Sequence, residues 1–161
     1  MTTSATSGAA AASGTRGTSL ASRPDAPELS GLGWILDEHL LRLPHTLHAL
    51  LLSSDGMVAA ASRDVPREIA ERMAATASGL QSLSRQGAEF AACENSPWEL
   101  TMIKFADGYL YLMAAGTGTY LVVSTSDKAD VEAVSFAMEK TVDRLGQEMA
   151  ITSRNTSDNG S

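Results

Sequence analysis

The apolar positions of this chain change period along its length, and each change marks an element. Leu32, Ile35, Leu36, Leu40 and Leu43 recur at helical spacing, and Pro44 closes that segment. Leu47 to Leu52 reads as a strand, Asp55-Gly56 as a hairpin turn and Met57 to Ala61 as the returning strand, because both turn residues tolerate positive φ. Pro66 to Arg85 is helical again, with proline in the first turn and Asp64 as the expected cap. Two stripes run along this helix: Ile69, Met73, Ala77 and Leu80 form one, and the small residues Ala70, Ala74 and Ser78 form the other. Gly87 ends it, and residues 88–97 read as a loop. Three strands follow. Leu100 to Phe105 turns through Asp107-Gly108 into Tyr109 to Ala115, which turns through Gly116 to Thr119 into Tyr120 to Thr125. Val131, Val134, Met138, Val142, Leu145 and Met149 mark a long closing helix, which Ser126 can cap, while Asp127 and Asp130 suit its dipole.

The order α-β-β-α-β-β-β-α predicts an α+β fold: a five-stranded antiparallel sheet with helices on both faces. Leu47, Ala49 and Leu51 face one side and Leu50 and Leu52 the other; Tyr109, Tyr111 and Met113 likewise alternate with Leu110, Leu112 and Ala114. Both faces are apolar, so both need cover. Five strands span roughly 24 Å, and one helix covers about 10 Å. Two helices nearly cover one face, and the third leaves half of the other bare. The economical cover is a second copy of the chain.

Composition narrows this picture to one domain. Residues 1–30 are dominated by Ala, Gly, Ser, Thr and Pro, which bury too little apolar surface to offset ordering entropy; they read as a disordered tail, as do residues 152–161. The 12 basic and 19 acidic residues give −7. Both tails are neutral, so this charge sits on residues 31–151. It argues against nucleic-acid binding, which needs clustered Lys and Arg. The single cysteine, Cys93, excludes an intrachain disulfide and a multi-cysteine metal site. The longest apolar run, Tyr109 to Ala115, falls far short of a membrane span, and residues 1–15 carry no basic side chain of a secretory signal. The expectation is a cytoplasmic protein without direct membrane insertion.

Candidate chemistry is sparse. Gly116 to Thr119 lacks the downstream Gly-Lys-Ser/Thr of a phosphate-binding loop, and neither G-x-S-x-G nor H-E-x-x-H occurs. Ser53-Ser54-Asp55 sits beside a tight turn and reads as turn chemistry. His39, His45 and His48 fall on a helix, a loop and a strand, without an acidic residue at ligand spacing. Cys93 has no basic neighbour to lower its pKa. Asn155-Thr156-Ser157 matches a glycosylation sequon that meets no glycosylating enzyme without secretion. No catalytic residue, metal or cofactor is expected. A small-ligand sensor on a PAS- or profilin-like sheet would need a polar cluster in an apolar pocket, and the sequence offers none.

The small stripe is the sharpest feature. It could serve packing on the helix's own sheet, but the bulkier stripe already supplies that face, so Ala70, Ala74 and Ser78 are assigned to contact with a second chain. Arg63, Arg67 and Arg72 alternate with Asp64, Glu68 and Glu71. They read either as a solvated face or as the polar rim of an interface.

The hairpin LLSSDGMVAA, the helix REIAERMAATASGLQSLS and the meander MIKFADGYLYLMAAGTGTYLVVSTS, in this succession, resemble the roadblock family related to dynein light chains. The resemblance covers residues 32–150 and is nearest to the bacterial branch encoded beside a sensor-kinase-like protein and a small Ras-like GTPase. It implies a roadblock/longin-like sandwich and a non-enzymatic homodimer, in which the central helices pack together and the following strands pair. Here that places Ala70, Ala74, Ser78, Gln81, Leu100 and Met102 in the dimer interface. It also implies a GTPase or sensor-kinase-like partner, for which Arg67, Glu68, Glu71, Arg72 and Ala75 are the candidate contacts. Bacterial relatives can activate their GTPase by remodelling it, so no arginine finger is assigned. Membrane recruitment would come only through such a complex.

Overall fold

The computed structural model describes residues 29–116 and 118–158, so the expected tail over residues 1–30 lies outside the described residues but for its last two, which open a 3₁₀ turn. The elements are α1 (Gly33–His39), β1 (Thr46–Ser53), β2 (Val58–Ala61), α2 (Arg67–Gln86), β3 (Leu100–Phe105), β4 (Gly108–Ala114), β5 (Thr119–Ser126) and α3 (Val131–Asp158), with a short 3₁₀ turn at Leu29–Leu32. All pairings in the sheet are antiparallel, in the spatial order β2-β1-β5-β4-β3. The α+β order read from the sequence holds.

Alternation divides the strands between two cores. Ala49, Leu51, Tyr111, Met113, Leu121 and Val123 face α1 and α3, where Ile35, Leu36, Val134, Met138 and Leu145 cover them. Leu50, Leu52, Leu112 and Val122 face α2. The helices thus lie on both faces.

Several local expectations change. Asp64 does not cap α2: it has φ 65°, and Pro66 is the N-cap residue, its carbonyl accepting the Ala70 amide at 3.0 Å. For α3 the cap is Asp130, whose carboxylate accepts the Glu132 and Ala133 amides at 3.0 and 3.2 Å, whereas Ser126 accepts from Lys128. Gly108 is no turn residue. It opens β4 where a Cβ would collide with the Thr125 carbonyl of the neighbouring strand. The closing helix also outruns its stripe, continuing to Asp158 through the segment read as a tail. Once nucleated, a helix extends at little cost. Here the Thr152 and Ser153 hydroxyls donate to the carbonyls four residues back, at 3.0 and 2.7 Å, a geometry that solvated Ser and Thr adopt readily.

Tyr111 is fully buried at the centre of the α1/α3 core, and its hydroxyl has no hydrogen-bond partner among the described residues. The Thr125 hydroxyl beside it donates instead to the Ser126 carbonyl at 3.1 Å. Burial holds the Tyr111 pKa above the ordinary tyrosine value. Removing an unpaired buried hydroxyl costs little. Tyr111→Phe is therefore expected to keep neutral-pH stability within about 1 kcal/mol of the parent in urea titrations. The sign of the pH effect follows from the raised pKa. Above about pH 10 the unfolded tyrosine ionises while the folded one resists. The parent then loses stability that Tyr111→Phe retains.

Candidate interaction surface

α2 carries the two stripes in the orientation opposite to the expected one. Ala70, Ala74 and Ala77 are buried against Leu50, Leu52, Leu112 and Val122 of the helix's own sheet. Ala70 and Ala74 are thus corrected from intermolecular to intramolecular packing. The physical reason is volume. The facing strand residues are large, and only methyl side chains let the helix axis approach them closely. Ile69 is 49% exposed and Leu83 64% exposed, both on the outward side. With Met73, Thr76 and Leu80 they follow a seven-residue repeat, 69-73-76-80-83, the spacing of a seam between packed helices. Met73 and Leu80 sit at the margin, touching the inner core with part of their surface. Ser78 and Gln81 are half-buried; Ser78 approaches the β1–β2 turn at Gly56.

β3 is the second part of the surface. It lies at the end of the sheet with one free edge. Leu100 and Met102, both anticipated, are 37% and 47% exposed on the α1/α3 side, and Phe105 is 57% exposed on the α2 side. Exposed apolar side chains thus stand on both faces of the edge strand and along the outer side of α2, and others stand apart from them at Trp34, Leu47, Met57, Phe90, Phe136 and Ile151.

The charged candidates form a ladder on α2. The Arg67 guanidinium donates to Glu71 at 2.7 Å, and Arg72 lies 4.0 Å from Glu68. Bonded to Glu71, Arg67 has its pKa raised further above the arginine norm. These pairs and Ala75 are exposed. Such i,i+4 pairs add little stability by themselves, so they are available to a partner. Arg63 is drawn elsewhere: its amide donates to the Asp37 carboxylate at 2.9 Å, tying β2 to α1.

At the start of β3, the segment 87–99 bends over the strand ends and leaves a groove lined by Ser84, Ala88, Trp98, Glu99 and Tyr120. Its wall is held rigidly. The Trp98 indole donates to the Thr101 hydroxyl at 2.9 Å, that hydroxyl bonds Ser84 at 2.6 Å, and Trp98 meets Tyr120 edge to face at 6.0 Å. Cys93 is exposed on the rim. Among the described residues no cluster of His, Cys, Asp and Glu could hold a metal ion, and no helix is long and apolar enough to cross a membrane. Ile69, Leu83 and Phe105 are the surface residues that sequence reasoning missed. The seven-residue spacing was the available signal for the first two.

The free β3 edge and the exposed apolar side of α2 belong to an α+β fold built on one five-stranded antiparallel sheet. The family comparison gives that fold its name: the Roadblock/LC7 domain matches residues 32–125, more than half of the chain, and the chain belongs to this family. Two solved Roadblock/LC7 domains from Streptomyces avermitilis are similar to it. One is 38% identical with a TM-score of 0.58, covering 71% of this chain and 98% of its own. The other is 29% identical with a TM-score of 0.68, covering 74% and 98%. MglB of Myxococcus xanthus shares the fold at 12% identity and a TM-score of 0.62, covering 80% and 92%. Among curated proteins none matches.

Proposed function

We propose that this chain is a homodimeric, non-enzymatic regulator or adaptor of a small Ras-like GTPase. The observation that carries the reading is the pairing of two apolar outer surfaces, the β3 edge and the Ile69–Leu83 stripe, on adjoining elements of one side of the molecule. Soluble chains rarely leave such surfaces to water, and a second copy covers both at once. Family membership supports the same reading, and one like-folded MglB is described with a tetrameric arrangement. The charged ladder of Arg67, Glu68, Glu71 and Arg72, with Ala75, stands beside the stripe and is the proposed contact for the GTPase.

The reading is tested by adding the protein to small Ras-like GTPases of the same organism. The expected result is binding to one of them, with its single-turnover GTP hydrolysis changed about tenfold, equivalent to about 1.4 kcal/mol in the barrier. Binding without a rate change would leave an adaptor. Capture of a sensor-kinase-like protein with no GTPase binding would replace the proposal by a scaffold.

A further inference from the structure

The two flanks of α3 differ in charge. At about 100° per residue, Val134, Met138, Thr141 and Leu145 point to the sheet, and all four are buried. One flank of the helix then carries Ala137, Arg144 and Glu148. It faces α1, which lies over β1 and β2: the Arg144 guanidinium stands over the Trp34 ring at 6.0 Å and bonds Glu148 at 2.7 Å. The other flank carries Ser135, Glu139, Val142 and Gly146, and it faces β3 at the end of the sheet. Glu132, Glu139 and Asp143 are exposed along the outer rim of this flank. The ion pairs of the described residues involve none of the three.

This flank and β3 bound a cleft. Its floor is apolar: Leu100 and Met102 stand exposed on the α1/α3 face, opposite Met113 and Tyr111 of β4, and Val142 forms the foot of the wall. Pairing along the β3 edge would engage backbone groups and leave this face open, because strand side chains stand roughly perpendicular to the sheet. Lys104 also stands on this face, its ammonium over the Tyr109 ring at 4.6 Å, and the three carboxylates of the rim outweigh it. Gly146 adds an independent sign. A glycine inside an exposed helix costs about 1 kcal/mol relative to alanine, and a Cβ at this position would meet no atom within 4 Å. The protomer itself gives no reason for the glycine. Close approach of another backbone does.

A further helix beside α1 and α3 would complete the layer over the sheet, and the wall offers it about 27 Å between Glu132 and Ala150. Complementarity sets the character of that helix: an apolar stripe for the floor, and Lys or Arg side chains for the rim. We propose that the cleft between α3 and β3 docks a basic amphipathic helix of another protein. Its apolar stripe lies on Leu100, Met102 and Val142, its backbone crosses Gly146, and its cations meet Glu132, Glu139 and Asp143. The cleft lies on the face of the sheet opposite α2, so this partner is additional to the GTPase proposed above.

The probe is a fluorescein-labelled helical peptide of leucine and lysine, about 18 residues long to match the wall, titrated with the full chain and followed by anisotropy. Binding is expected, and it should be lost when the peptide's leucines become serine or its lysines glutamate. Glu139→Lys with Asp143→Lys is expected to weaken binding about tenfold. Glu89→Lys with Glu94→Lys makes the same change of net charge away from the cleft, and its effect should stay under about threefold. Gly146→Leu should weaken binding about tenfold while the melting temperature holds or rises, since leucine is the better helix former. Absence of binding by the parent chain, equal weakening by the two charge pairs, or parent-like binding by Gly146→Leu would each overturn the proposal. Tighter binding after Arg16→Glu with Arg23→Glu would give the cleft to the chain's own residues 1–28. An assembly larger than a dimer that Gly146→Leu dissociates would give it to a further copy. Either result would overturn the proposal as well. None of these readouts involves a GTPase, so failure here and failure of the proposed function are distinguishable.

Discussion

Ala74→Arg is expected to unfold the protein. Ala74 is 1% exposed, enclosed by α2 on one side and by Leu50, Leu52, Leu112 and Val122 on the other. An arginine there adds a long side chain where a methyl group fits, and overpacking alone costs about 1–3 kcal/mol. Its guanidinium would also be buried without an acceptor for its donors, and an uncompensated buried charge costs several kcal/mol more. Domains of this size have only about 5–15 kcal/mol to lose. The expected result is a cooperative transition lost or lowered by more than about 10 °C in thermal melts followed by far-ultraviolet circular dichroism. A well-folded monomeric Ala74→Arg would return the small stripe to an intermolecular role.

Ile69→Arg is expected to do the reverse. Ile69 stands on the outer side of α2 with half its surface in water, so arginine meets solvent and the protomer keeps its fold. In the proposed dimer the change sets charge in an apolar seam, and once from each copy. A loss of about 2.7 kcal/mol in association, or about a hundredfold in dissociation constant, is expected. The unfolding midpoint should also lose its dependence on protein concentration, since dimerisation stabilises by mass action. The check is sedimentation velocity alongside circular dichroism. Retained dimer with retained fold would move the interface off α2.

The contrast between these two substitutions shows where sequence reasoning stopped. The strands were legible because alternation over Leu47 to Leu52 and Tyr109 to Ala115 has one structural meaning. The β3 bounds came out as read. The two stripes of α2 were also legible as stripes. Their orientation was not, since it depends on the combined volume of Leu50, Leu52, Leu112 and Val122, residues distant along the chain that define how close the helix must come. Gly108 misled for a similar reason. Asp-Gly suggests a turn locally, but the glycine is required by the Thr125 carbonyl of another strand. Phe105 carries no local signal of exposure, because β3's place at the sheet edge emerges only from the order of all five strands. The helical continuation to Asp158 depends on carbonyls supplied by the preceding turn, which composition does not register.

The central claim is that the β3 edge and the outer side of α2 close on a second copy. Sedimentation equilibrium of the full chain at tens of micromolar tests it most directly. The account predicts a mass twice the 16.9 kDa of one chain. A single species of 16.9 kDa with native circular dichroism would contradict it.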